Sequence, residues 1–241
     1  MVRPLCAGLL RIPNAITTNR NSEKILTTFF LNRARSCNGS EDTVRASVVD
    51  IRRDTPKQED AFLVDTNVWY WLTYTKASNS AQPHQTRHYP AYIGKALSAK
   101  SRLHHCGLSL SELSHIIEGT ERDIFRRSSP GITTKQFRHN FPTERSNVVA
   151  EIQTAWEQVG TMSKSLDLTV NADLTDKALQ RMATESLDGY DLFLLEAMSE
   201  AGIQNIITDD GDYATVPGIQ LFTANKNVIK TSRNQGKLVR R

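Results

Sequence analysis

Short apolar runs alternating with segments of helical periodicity predict an α/β domain with a mainly parallel central sheet. Runs such as Ala61-Phe62-Leu63-Val64 and Ile206-Ile207-Thr208 lack polar alternation, as strands buried on both faces do. Between such runs, apolar residues recur at three- and four-residue spacing, for example Leu113, Ile116, Ile117, Ile124 and Phe125. In such sheets the working residues sit just past the carboxyl ends of the strands.

The elements follow in order. Residues 1 to about 44 lack sustained periodicity, apart from Ile25-Leu26-Thr27-Thr28-Phe29-Phe30-Leu31, and Asn38-Gly39-Ser40-Glu41-Asp42 reads as a linker. Val48-Val49-Asp50-Ile51 adds a small strand, and the globular domain is expected to begin near Ala61. After the 61–64 strand, Val68, Trp69, Leu72 and Tyr74 suggest a helix, and the polar stretch Thr75 to Pro90 a loop. A helix over 92–100, a strand over 103–108 and a helix over 109–125 come next, closed by Ser128-Ser129-Pro130-Gly131. Helices over 147–162, 173–183 and 192–201, with strands over 166–170, 206–208 and 219–222, complete the reading. No internal repeat is present.

A length of 241 residues allows one good core with an appended segment. The net charge of +4 leans mildly toward an anionic partner. Basic residues dominate the first 40 positions and recur without acids after Ala224, at Lys226, Lys230, Arg233, Lys237, Arg240 and Arg241. This tail reads either as a grip on phosphate or as a solvated terminus. Cys6, Cys37 and Cys106 are few, odd in number and far apart, which argues against a disulfide framework or structural zinc and fits the cytoplasm. No stretch has the length of a membrane span, and no nucleotide-binding glycine loop is present.

Four acids stand where strands end or helices begin: Asp65, Glu112, Asp191 and Asp210. Buried carboxylates gathered in one place repel one another unless a cation joins them, so acids distant in sequence but equivalent in position point to a shared Mg²⁺ or Mn²⁺ site. Each has a bland alternative. Asp65 reads equally as a helix N-cap, with Thr66 and Asn67 as hydrogen-bond supports. Ser109-Leu110-Ser111-Glu112 is a capping-box pattern. Asp188 is a natural N-cap, which leaves Asp191, heading an apolar helix, as the better ligand. Asp209, Asp210 and Asp212 crowd one loop in which Gly211 allows an unusual backbone angle, with Asp210 the ligand and its neighbours supports. The six histidines lack metal-ligand spacing, and Trp69, Trp71 and Trp156 read as packing residues rather than a base-stacking platform.

The order Leu63-Val64-Asp65-Thr66-Asn67, Ser109-Leu110-Ser111-Glu112-Leu113, Tyr190-Asp191-Leu192-Phe193-Leu194-Leu195 and Ile206-Ile207-Thr208-Asp209-Asp210-Gly211-Asp212-Tyr213 resembles the PIN-domain ribonucleases, in particular the VapC type of toxin. No single motif is specific; the four in order are. The resemblance covers residues 61 to 225 and implies a three-layer α/β/α sandwich that cleaves RNA with Mg²⁺ or Mn²⁺ held by Asp65, Glu112, Asp191 and Asp210. It also implies an antitoxin protein and a second copy of the chain as partners. Residues 1–60 are then an extension, poorly ordered or loosely attached, and 226–241 a basic tail. The spans 74–108 and 127–147 exceed those of a minimal toxin. The alternative function is a non-catalytic module of the same fold that binds RNA or protein.

Overall fold

Among the described residues, seven strands form one sheet in which every neighbouring pair is parallel, in the order β4-β3-β2-β5-β6-β1-β7. They are β1 (Ser47–Asp50), β2 (Ala61–Val64), β3 (Arg102–Cys106), β4 (Lys164–Leu166), β5 (Asn205–Ile207), β6 (Gln220–Thr223) and β7 (Leu238–Val239). The structure, a computed structural model, describes residues 43–241; the expected run over 25–31 lies outside them. The helices are α1 (Thr66–Thr73), α2 (Pro83–Ser98), α3 (Leu108–Phe125), α4 (Thr134–Asn140), α5 (Pro142–Met162), α6 (Ala172–Met182), α7 (Gly189–Glu200) and α8 (Lys226–Asn234). No helix among the described residues is long and apolar enough to cross a membrane.

The pleat turns successive side chains to opposite faces, and the two faces build two cores. Val49, Phe62, Val64, Ile207 and Phe222 join Trp69 of α1, Ile93 of α2, Leu113 and Ile117 of α3 and Val159 of α5. The intervening residues Val48, Leu63, Ile206 and Leu221 join Ala178 of α6, Leu192 and Leu195 of α7 and Val228 of α8. Helices therefore cover both faces, and the architecture is the expected three-layer α/β/α sandwich. Phe62, Leu63, Ile206, Leu221 and Phe222 are all 0% exposed, which accounts for their unbroken apolar runs.

The expected boundaries at 61 and 225 are too narrow. β1 lies inside the sheet, between β6 and β7, and the described residues, 43–241, form a single unit. The basic tail is folded as well. Asn225 caps α8 by accepting from the N–H groups of Asn227 and Val228, and Val228, Ile229 and Ser232 are buried. Arg241 turns inward: its guanidinium hydrogen-bonds Asp54 and Asp60 and lies 4.6 Å from the centroid of Phe222. The stretch read as a loop over 75–90 holds the first half of α2 instead. Pro83 occupies its first turn, where a missing N–H costs little, while Pro90 lies in the helix interior. Buried Tyr89, Tyr92, Ile93 and Ala96 carry the helical spacing that the prolines disguised.

β3 carries two histidines whose rings burial pushes below their ordinary value of 6.5; Arg102 and Lys164 add to the effect at His104. A base depressed in the folded state binds its proton less readily there than when unfolded. Its contribution is complete above the unfolded value and shrinks as pH falls through the folded one. The melting temperature is therefore expected to fall on acidification from about pH 7.5 to about pH 5, before most carboxylates titrate. Replacing His105 with glutamine should flatten that slope in a pH series of thermal melts, and an unchanged slope would exclude His105 as the cause.

Candidate active site

The carboxyl ends of β2 and β5 are neighbours, and the chain places an acid just beyond each. Asp65 directly follows β2 and occupies the N-cap position of α1, yet its side chain makes no capping hydrogen bond. The cap explanation for this residue therefore fails. Its Oδ2 instead accepts from the hydroxyl of Thr208, at 2.6 Å. The same Thr208 oxygen accepts from the backbone N–H of Asp210, at 2.9 Å. One buried hydroxyl thus ties the acid after β2 to the acid after β5. Thr66, expected to support Asp65, has an Oγ1 with no hydrogen-bond partner among the described residues.

Asp191 reaches the same place from α7. Asp188 caps that helix, accepting from the N–H groups of Tyr190 and Asp191 as its position suggested. The cap sets the first turn so that Asp191 points inward, only 2% exposed, among Leu192, Leu194 and Leu195. The Tyr213 hydroxyl donates to Asp191 Oδ1 at 3.0 Å. Tyr213 is 0% exposed. Burial raises its phenol far above its ordinary value, and the negative charges of Asp191, Asp65 and Asp210 raise it further. It therefore stays protonated as a donor to Asp191, and the charges of three of the four expected acids act on it.

Glu112 stands half-buried in the second turn of α3, which begins just past β3, the sheet neighbour of β2. The capping-box reading fails here too. α3 starts from Gly107 with no side-chain cap, so Ser109 and Glu112 lie inside the helix rather than at its cap. Glu112 thus shares the carboxyl edge of the sheet with the other three.

The acidic loop divides its labour. Asp210 Oδ1 accepts from the N–H of Asp212, which rigidifies the turn, and Asp212 itself is exposed. Gly211 has an ordinary right-handed backbone, φ −72° and ψ −23°, so the expected unusual angle is absent. Asp209 faces away from the other acids and toward α2. It accepts from the Tyr89 hydroxyl at 2.6 Å and from Gln85 at 2.7 Å, while Asn225 donates to its backbone carbonyl at 2.8 Å. The Tyr89 oxygen in turn accepts from the N–H of Ala224, at 2.9 Å. Tyr89→Phe leaves that N–H and an Asp209 oxygen without their partner. A loss of about 1–3 kcal/mol in urea unfolding is expected, with faster hydrogen exchange across 208–212. Unchanged exchange there would show that Tyr89 does not hold the loop.

Thr208, Tyr213 and Tyr89 are the residues that sequence reasoning passed over as contributors to the site. A faint signal existed for the first, a polar residue closing an apolar run directly before three acids. Among the described residues no three Asp, Glu, His or Cys side chains close on one point in metal-ligand fashion. A donor set made of carboxylates nevertheless suits a hard cation such as Mg²⁺, which usually takes one or two of them and keeps several waters. Comparison of the sequence with protein-family models and with curated proteins gives no match.

Proposed function

We propose that this chain is a divalent-metal-dependent endoribonuclease of the PIN type, with Asp65, Glu112, Asp191 and Asp210 as its acidic quartet. The observation that carries the reading is the linkage of acids at the carboxyl edge of a parallel sheet, where the Thr208 hydroxyl ties Asp65 to the backbone of Asp210 and buried Tyr213 holds Asp191. In its narrower form the proposal makes the chain a cytoplasmic toxin with an antitoxin partner, acting as a homodimer.

Asp65 and Asp191 would hold Mg²⁺ or Mn²⁺ most directly, and Glu112 and Asp210 would complete the shell or orient the attacking water. When bound, such an ion lowers the pKa of its water and offsets charge on the phosphoryl oxygens. The protein's own part is positioning. Thr208 fixes the Asp65 carboxylate, and the same hydroxyl anchors the backbone of Asp210. Tyr213, kept protonated, fixes Asp191. The loop Asp209–Asp212 is held from behind by Tyr89, Gln85 and Asn225.

Incubation of pooled RNA with Mg²⁺ or Mn²⁺ tests the reading, with Mn²⁺ binding measured alongside for wild type and Asp191→Asn. Discrete metal-dependent cuts that vanish in the variant are expected. No cleavage together with no Mn²⁺ binding would replace the nuclease with a non-catalytic binding module.

A further inference from the structure

A cavity of about 510 Å³ lies between α3, α4 and α5, and its Arg138 and Arg145 come from the long 127–147 span. This volume is in the range of pockets that enclose a small molecule or one unit of a polymer. Its walls are of two kinds. Leu110, Val149, Ile152 and Trp156 make an apolar side, with Leu110 left 36% exposed. Arg138 and Arg145 make a cationic side.

The two arginines differ. Arg138 is committed to Glu118, which it hydrogen-bonds at 2.7 and 2.6 Å. Burial pushes that carboxyl up, but the bonds and charge of Arg138, helped by the nearby charge of Arg145, outweigh it and hold Glu118 below the usual range. The acid in the wall is therefore neutralised by its own partner. Arg145 is exposed and makes no ion pair among the described residues. The surrounding segment favours an anion as well: from Arg122 to Arg145 there are six basic and two acidic residues, a net charge of +4 that equals that of the whole chain.

Trp156 is set in place rather than loosely exposed. Its ring packs edge-to-face with His105 at 4.9 Å, and His105 Nδ1 is 2.8 Å from Ser163 Oγ. Only part of the indole is spent on the core, so it packs there and lines the cavity as well. A fixed aromatic surface beside an uncommitted arginine is the combination that binds single-stranded nucleic acid, by stacking a base and meeting its phosphate. The place suits that use. Ser114, His115 and Glu118 follow Glu112 on α3, so the cavity opens within about 9 Å of that acid along the helix axis.

We propose that this cavity is a subsite for one base of an unpaired RNA strand, with Trp156 as its stacking surface and Arg145 as its phosphate contact. The assignment of RNA as occupant rests on the nuclease reading, so the test separates binding from cleavage. A fluorescein-labelled, unstructured oligoribonucleotide is titrated with full-length protein in EDTA, and cleavage with Mg²⁺ is measured separately. Trp156→Ala is expected to weaken binding by about 5- to 100-fold, and Trp156→Phe to restore most of it. Arg145→Gln should reduce the slope of log affinity against log salt by about 0.7. The phenylalanine variant and the exposed arginine keep the test independent of any folding defect in the alanine variant.

Wild-type affinity in both Trp156→Ala and Arg145→Gln would overturn the subsite even if the protein cleaves RNA. Failure of the wild type to bind the oligoribonucleotide would overturn it too, and would make a peptide the candidate occupant. Binding that depends on Trp156, in a protein that cleaves nothing with any metal, would uphold the subsite while the nuclease reading fails.

Discussion

Arg241→Ala is expected to lower the unfolding free energy by about 3–5 kcal/mol, because it strands two buried carboxylates. The side chains of Asp54 and Asp60 are only 2% and 7% exposed, and that of Arg241 14%. Removing the guanidinium cancels four hydrogen bonds and the contact with Phe222 while leaving both acids desolvated. The Tyr92 hydroxyl, donated to Asp54 Oδ2, is not enough to neutralise them. Urea unfolding at neutral pH measures the loss. Adding Asp54→Asn and Asp60→Asn to Arg241→Ala should recover part of it, since the penalty arises from uncompensated charge. A loss under about 1 kcal/mol would instead be typical of an exposed pair. Burial pushes the Asp60 carboxyl up, yet the hydrogen bonds from Arg241 and from the Lys57 N–H hold it below its ordinary value. Its share of the stability is thus complete above the ordinary carboxylate range and lost as pH falls through the depressed value. The deficit of the variant should accordingly shrink in strong acid.

Asp65→Asn is expected to reduce RNA cleavage by about a hundred- to a thousand-fold or more, the scale on which a single preorganised electrostatic group acts. The fold should survive. The amide oxygen can still accept from Thr208 in place of Oδ2, and one of three negative charges around Tyr213 disappears. Thermal stability without metal should therefore be unchanged or higher, and added Mn²⁺ should stabilise the wild type more than the variant. A marked fall in melting temperature would show that Asp65 serves the fold, with Thr208 as its structural partner. Full cleavage by the variant would remove it from the quartet.

The parts of this molecule legible in the sequence are those whose signal is local. The strands at 61–64, 205–207 and 220–223 announced themselves through Phe62-Leu63-Val64, Ile206-Ile207 and Leu221-Phe222, consecutive apolar residues buried on both faces of the sheet. α3 was legible because Leu113 and Ile117 point into the core at helical spacing. α4 was missed although Thr133 and Gln136 form a capping box, because only Phe137 of its seven residues is buried and no periodicity follows the cap. β7 has two residues, too few for any pattern, and owes its existence to the edge that β1 offers. In α8 the buried side is carried by Val228, Ile229 and Ser232, which the surrounding lysines and arginines concealed.

The site divides in the same way. Asp65, Asp191 and Asp210 could be picked out because their places, after a strand or at a helix start, are visible in the chain. The capping alternatives for Asp65 and Glu112 could be weighed but not resolved, since a cap depends on the backbone turn at a single residue. The supports were out of reach. Thr208 meets Asp65 from 143 positions away, and Tyr89 meets Asp209 from 120. No local pattern records which hydroxyl will arrive.

The place of β1 bears on how the protein comes to be made. Val48 pairs with Leu221 on one side and Leu238 on the other, contacts between residues roughly 170 to 190 positions apart. A ribosome releases the early strand long before either neighbour exists, so that half of the sheet assembles late. Until β6 and β7 emerge, Val48 and Val49, at most 2% exposed in the folded domain, have no lasting cover. Closing such long loops is slow, and the unpaired strand is open meanwhile to pairing with another chain. Capture by β6 and β7 is what keeps that strand for its own sheet.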